Sequence, residues 1–261
     1  MAGRTGASPG RPRASGIAAE DPREEIIQVA TRLFAERGYE RTSMTMLAEA
    51  CGMKQSSLYY WFANKREVLR ATAASNRQSV GAAEALGSIE ADVPAKLYRV
   101  LYEDGVAICE APFDYNEIER LAAEHPDDLA SFWVDYRTLF TFIAGLIRDG
   151  VEQGSLVLGG SETPEWAAAA ALHANEGMQK AYRYGSGDIA AQYPPVEAAE
   201  GASDADRIRA FARRTASATV HSLLVDRAAL ADVEHDALAL DLAVGGEGLA
   251  SPSKADLIDL I

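Results

Sequence analysis

One glycine constrains this chain more than any other residue. The run Thr42-Ser43-Met44-Thr45-Met46-Leu47-Ala48-Glu49-Ala50-Cys51-Gly52-Met53-Lys54-Gln55-Ser56-Ser57-Leu58-Tyr59-Tyr60-Trp61-Phe62 reads as two short helices broken at Gly52. Counted from Met44, Ala48 falls fifth, Gly52 ninth and Leu58 fifteenth. Two helices that cross steeply need a side chain as small as Ala48 at their closest approach. The turn between them needs a residue that tolerates positive φ, which is Gly52. Leu47, Cys51, Leu58 and Phe62 supply an apolar wedge. This is the pattern of a helix-turn-helix, whose second helix enters the DNA major groove. A surface helical hairpin with a glycine turn would share the local pattern, so the flanks carry weight.

Upstream, Asp21-Pro22-Arg23-Glu24 is a helix start: Asp21 caps, Pro22 suits the first helical position, and Glu24 has capping-box spacing. Ile26, Ile27, Ala30, Leu33 and Phe34 follow with the period of a helix that buries one face. Gly38 stops it. Downstream, Asn64 caps a helix that begins Lys65-Arg66-Glu67-Val68-Leu69. The expected unit is a three-helix domain with a connecting fourth helix over residues 64–80, all within residues 21–80.

Glu36-Arg37-Gly38-Tyr39-Glu40-Arg41-Thr42-Ser43, Leu47-Ala48-Glu49-Ala50-Cys51-Gly52, Leu58-Tyr59-Tyr60-Trp61-Phe62 and Lys65 together closely resemble the DNA-binding domain of the tetracycline-repressor (TetR) family. The resemblance covers about the first third of the chain without a gap. It departs at Ser56, where the family usually has Gly, at Trp61, where His or Tyr is common, and at Arg66, where an acid usually follows the lysine. It implies a DNA-binding regulator with a second domain that holds a small effector.

The net charge of −14 is unusual for a DNA binder, but it is unevenly spread. Residues 1–78 hold 12 of the 25 Lys and Arg and 8 of the 39 Asp and Glu, a net +4; the rest hold 13 and 31, a net −18. The basic end carries the helix-turn-helix, and the acidic remainder would be repelled by phosphate, which orients the protein on a duplex. The two cysteines, Cys51 and Cys109, form no Cys-x-x-Cys and read as structural. Met1 to Gly16 has no apolar core of a secretory signal, and no apolar run approaches a membrane span. The expected location is cytoplasmic.

The remainder is expected to be helical, so the fold class is all-α: an N-terminal helix-turn-helix domain and a larger helical bundle for ligand binding and dimerisation. The expected division is a disordered basic arm over 1–20, the DNA-binding domain over 21–80, the effector and dimerisation domain over 81–244, and a mobile tail over 245–261. Arg4, Arg11 and Arg13 of the arm have no acidic neighbour before Glu20, and could follow the DNA backbone. In the second domain Pro94 opens a helix through Cys109, a short one covers Asn116–Glu124, and Pro126 starts a long one that ends near Gln153. Further helices are expected over 163–184, 204–225 and 227–242.

On the long helix Trp133, Tyr136, Phe140, Ile143 and Ile147 form one stripe, and Leu139, Phe142 and Leu146 widen it, so it is buried on more than one side. Single aromatics suit ordinary packing; so many with polar tips suit an apolar cavity with a few orienting hydrogen bonds. The candidate effector-binding residues are Tyr98, Tyr102, Trp133, Tyr136, Phe140, His173 and Glu176. His173 and Glu176 lie three apart on one helix, and no metal-ligand spacing accompanies them. The alanine run Ala167–Ala171 and the small-faced helix around Ile208, Ala212, Thr215, Ala218 and Ser222 permit close helix approach. The resemblance implies that these two helices form a four-helix homodimer interface, and twofold symmetry implies a palindromic operator.

The candidate base-reading residues are Lys54, Gln55, Ser56 and Ser57; Gln55 can pair bidentately with adenine. Thr42, Ser43, Thr45, Tyr59, Tyr60 and Lys65 are candidates for phosphate. An enzyme or a carrier is the alternative class. No nucleophile–base pair, phosphate loop or paired-carboxylate motif commits the chain to a reaction, and none implies a cofactor.

Overall fold

The computed structural model describes residues 21–74, 77–111, 114–184 and 202–242. The expected basic arm, the stretch 185–201 and the expected C-terminal tail lie outside them. The described residues are all-α, with no strand among them; one isolated antiparallel bridge joins Leu156 and Leu224. The chain divides into two compact units, the first within Met1–Asn76 and Ala111–Trp133, the second within Arg77–Glu110 and Val134–Ile261. No helix of the described residues is long and apolar enough to cross a membrane.

The first unit begins with α1, Pro22–Arg37. The Asp21 carboxylate accepts from the Arg23 N–H at 2.8 Å, and the Phe34 carbonyl accepts from the Gly38 N–H at 2.9 Å to end the helix. Glu24 does not close a capping box: its carboxylate accepts from Gln28 Nε2 one turn on, at 3.2 Å. The helices α2, Met44–Ala50, α3, Gln55–Trp61, and α4, Lys65–Ala74, follow. Asn64 caps α4 as its position suggests, accepting from the Glu67 N–H at 3.0 Å, while Glu67 returns to the Ala63 N–H at 2.7 Å. The helix α7, Tyr115–Glu124, and the first residues of α8, Ala130–Glu152, complete the unit. One apolar core unites them: Phe34, Leu47, Leu58 and Leu69 share it with Leu121 and Leu129.

Two boundaries differ most from expectation, while the last expected helix, 227–242, narrows to Leu230–Ala239. The connecting helix ends at Ala74, and a separate α5, Gln78–Gly87, begins after it. The long helix starts at Ala130, not Pro126. Residues 126–129 form a turn in which the Asp128 and Leu129 N–H groups both donate to the His125 carbonyl at 3.1 Å. The Asp128 carboxylate is taken by Arg66 and Arg70 of α4, so the acid that would suit a first helical turn is held elsewhere.

In the second unit α6, Val93–Glu110, is the most enclosed element and packs against α5, α9, Pro164–Tyr184, α10, Asp204–Leu223, and α11, Leu230–Ala239. Gly105 lets α6 and α10 approach: a Cβ there would lie 3.1 Å from the Ala212 Cβ. A capping box of Ser203 and Asp206 opens α10. The Arg99 guanidinium closes α11, donating to the Ala237, Leu238 and Leu240 carbonyls at 3.0, 3.2 and 3.1 Å. A cation at a helix C-terminus satisfies orphan carbonyls and opposes the helix dipole.

A polar cluster lies inside this unit. Asn175 Nδ2 of α9 donates to Asp104 Oδ2 at 2.9 Å and to the Leu101 carbonyl at 3.0 Å, and Ser79 also hydrogen-bonds Asp104. Burial pushes the Asp104 carboxyl above its ordinary range, more than the bonds from Asn175 and Ser79 pull it down. Burial likewise pushes the Cys109 thiol up to about 12, so it stays protonated and packs as a small apolar group. A raised carboxyl loses its proton earlier in the unfolded chain than in the folded one, so stability falls as pH climbs from the unfolded value of about 3.9 towards the folded one. Urea unfolding of wild type and Asp104→Asn between about pH 4 and about pH 8 checks this. The variant should match or exceed wild type at the high end, and the gap should shrink at the low end.

Candidate nucleic-acid interface

The turn between α2 and α3 is built as the spacing requires. Gly52 has φ +64°, the Met53 N–H donates to the Ala48 carbonyl at 2.9 Å, and the Gly52 N–H donates to the Glu49 carbonyl at 3.0 Å. This pair of bonds is the Schellman closure, in which the residue just beyond the helix takes the left-handed conformation. Ala48, Leu47, Cys51, Leu58 and Phe62 are all buried where the helices meet. Phe62 also receives the Arg23 guanidinium over its ring, 5.3 Å from the centroid, which ties α1 to the end of α3.

The opposite face of α3 is open. Lys54 precedes the helix in an extended conformation, with no side-chain cap bond. Gln55, Ser56 and Ser57 are exposed after it. Three rings follow in succession: Tyr59 is 47% exposed, Tyr60 78% and Trp61 37%, with Tyr60 and Trp61 edge to face at 5.2 Å. One short helix thus presents hydrogen-bonding groups at its start and large rings at its end. Ser43 and Thr45 are exposed beside it, and the Ser43 hydroxyl caps α2 by accepting from the Met46 N–H at 3.2 Å.

Two candidate phosphate ligands are held inward. Thr42 is 1% exposed, and its hydroxyl donates to the Gly38 carbonyl at 3.0 Å. The Lys65 ammonium donates to the Tyr39 carbonyl at 2.8 Å and the Glu40 carbonyl at 3.4 Å, and lies 4.1 Å from the centre of the Tyr39 ring. A lysine has three N–H donors, so one remains for a phosphate. Burial, with Glu40 and Asp128 nearby, raises the Tyr39 phenol above its ordinary range, and its ring stays neutral beneath the cation.

The seven effector candidates are not gathered in one place. Trp133 belongs to the first unit, where its indole donates to the Ala122 carbonyl at 3.2 Å and its ring meets Phe132 edge to face at 5.1 Å. Tyr98, Tyr102, Tyr136 and Phe140 share an apolar cluster of the second unit. Tyr98 is fully buried there, its hydroxyl 3.1 Å from Ser217 Oγ and 3.3 Å from the Arg213 carbonyl; burial pushes the phenol up to about 12. His173 is exposed while Glu176 is buried, so their side chains face different surroundings. A groove of about 650 Å³ opens in the second unit along α9 and α10, lined by Trp166, Ala170, Ala218, Thr219 and Ser222 among others, and by none of the seven. No group of three or more potential metal ligands occurs among the described residues.

The inward-held and exposed candidates should separate in a stability measurement. Thr42→Val removes a buried hydroxyl bond and should cost about 1 kcal/mol in urea unfolding. Gln55→Ala, on an exposed position, should change stability by less than about 0.5 kcal/mol.

The profile of bacterial regulatory proteins of the tetR family matches residues 26–72. Over 53 residues the chain is 38% identical to the HTH-type transcriptional regulator TtgR of Pseudomonas putida, which is 20% of this chain and 25% of that one. The chain thus spans about a quarter of the length of the curated relatives it matches. Its fold is similar to the crystal structure of Mycobacterium smegmatis AmtR, with a TM-score of 0.62 and 22% identity over 87% of this chain and 98% of that one. It is also similar to AibR solved with isovaleryl coenzyme A and operator DNA, with a TM-score of 0.54 and 19% identity over 78% of this chain and 98% of that one. The N-terminal domain of the chain thus matches the tetR family of bacterial regulatory proteins over residues 26–72, and the fold of the whole is similar to these solved structures.

Proposed function

We propose that this protein is a one-component transcriptional regulator, a repressor that holds a palindromic operator as a homodimer and leaves it when a small effector binds the second unit. The observation that carries the reading is the Gly52 turn, which closes two buried helix faces on each other and leaves Lys54, Gln55, Ser56 and Ser57 open on α3. These four would read base edges, with Gln55 suited to adenine and the serines to several bases. Ser43, Thr45, Tyr59 and Tyr60 surround them with groups that suit phosphate and fix register. Lys65 contributes its third N–H in the first turn of α4, where the helix dipole also favours an anion. Thr42 acts from inside, holding the turn that leads into α2.

The homodimer reading rests on α9 and α10. Ala170, Ala218 and Ser222 are exposed along the groove, and Trp166 stands 65% exposed at its side. Small faces with a protruding ring suit a helix pair that meets its twofold mate. A twofold protein reads half-sites about 34–36 Å apart or a multiple of that.

The effector reading rests on the partly buried rings of Tyr102, Tyr136 and Phe140, packed beside the enclosed Tyr98, which suit an apolar or aromatic molecule. AibR, of similar fold, was solved with both an acyl coenzyme A and operator DNA. Here the effector would displace α4 and change the separation of the two recognition helices. It lowers DNA affinity only if it binds the DNA-incompetent state better, a coupling worth ~1–3 kcal/mol in typical cases.

Enrichment of duplexes from a random-sequence pool by the purified protein tests the whole reading. Recovery of a palindrome with half-sites at helical-turn spacing is the expected result; recovery of no sequence above background would remove the reading. On the recovered duplex, Lys65→Ala should weaken binding to specific and random DNA alike and make the salt slope shallower by about one. Retained affinity with altered sequence preference would contradict a phosphate role.

A further inference from the structure

Asp128 lies far from the helix-turn-helix in the chain yet inside the unit that contains it. Its side chain is 7% exposed, and each carboxylate oxygen meets one arginine of α4: Oδ2 lies 3.0 Å from Arg66 Nε, and Oδ1 lies 2.5 Å from Arg70 Nη2. The arginines are one helical turn apart, so both reach the same acid. They are otherwise exposed, at 67% and 53%.

The neighbouring residues grip the same region. The His125 ring stands edge to face with Tyr39 at 5.7 Å, and its Nε2 is 3.6 Å from Glu40 Oε1. Tyr39 is also the residue whose carbonyl and ring hold the Lys65 ammonium. Leu129 anchors the turn in the apolar core at 0% exposure. The turn 125–129 therefore holds both the start of α4 and the turn that leads into α2. Ion pairs between exposed side chains contribute little. A carboxylate this buried is different, because losing its partners would leave an uncompensated charge out of water.

We infer that Asp128 is a positioning residue for sequence-specific DNA binding: by pairing Arg66 and Arg70 it fixes α4, whose first residue is the phosphate candidate Lys65, and withholds two cations from indiscriminate contact with phosphate. The inference rests on the regulator reading above. A free arginine beside a DNA-facing surface attracts any duplex equally. A paired one adds order without adding that attraction. The effect therefore falls on the ratio of specific to random binding.

The test measures anisotropy of the full chain on the duplex that wild type enriches and on a random duplex, with thermal unfolding in parallel. Asp128→Asn should lower the specific-to-random ratio about tenfold or more, within the range of one lost base-pair contact, while affinity for the random duplex holds or tightens. Arg66→Gln should lower the ratio without tightening random binding. The double variant should cost no more than Asp128→Asn alone, because both changes break one network. If Asp128→Asn does not fold, Arg66→Gln carries the test, since that side chain is mostly exposed. An unchanged ratio in the folded variants would overturn the inference. So would equal loss on both duplexes in step with lowered thermal stability, the mark of a merely structural role. If wild type enriches no sequence, the regulator reading falls and the inference with it; an unchanged ratio on an enriched duplex removes the inference alone.

Discussion

The crossing of α2 over α3 rests on one left-handed residue. With Gly52 at φ +64°, the chain turns sharply between α2 and α3, and the Ala48 and Glu49 carbonyls at the end of α2 find donors. A side chain there would strain the backbone. The buried side of the pair then closes on Ala48, Leu47, Cys51, Leu58 and Phe62, and the other side is left to solvent. What α3 presents outward is a consequence of how tightly it packs inward. The polar start and ring-bearing end of that helix are held open to solvent because Leu58, fully buried, fixes the helix's rotation.

The legible parts of the fold are those set by neighbours in the chain. Asp21 and Asn64 cap where they were expected to, and Gly38 ends its helix, because each interaction spans only a few residues. The wedge of the helix pair was legible for the same reason. The start of α8 was not, because Asp128 sits where a helix N-terminus would favour an acid but is claimed by an arginine 58 residues away. Tyr98 shows the same limit: its polar tip suits a ligand, yet it lies beside Ser217, 119 residues on. Trp133 and Tyr136 share a helical stripe but belong to different units, since α8 contributes to both. Composition and period identify a buried face without saying which partner buries it.

The exposure of Lys54 to Ser57 was legible for a simpler reason. Once the helix-turn-helix spacing assigns Leu58 and Phe62 to the buried wedge, the residues at the start of α3 need no distant partner. Lys65 and Thr42 needed the structure, because their bonds run to backbone carbonyls of the turn between α1 and α2. Arg66, where the sequence departs from the TetR pattern that it resembles, pairs with Asp128, a partner that lies far along the chain.

The most direct test of the central claim is fluorescence anisotropy of the purified protein on duplexes tiled from the DNA upstream of its own coding region, with a random duplex as control and at several salt concentrations. The expected result is tight binding to one palindromic tile with at least two protomers per site, well above the random duplex. No binding to any duplex at low salt would contradict the helix-turn-helix reading and favour a carrier or an enzyme.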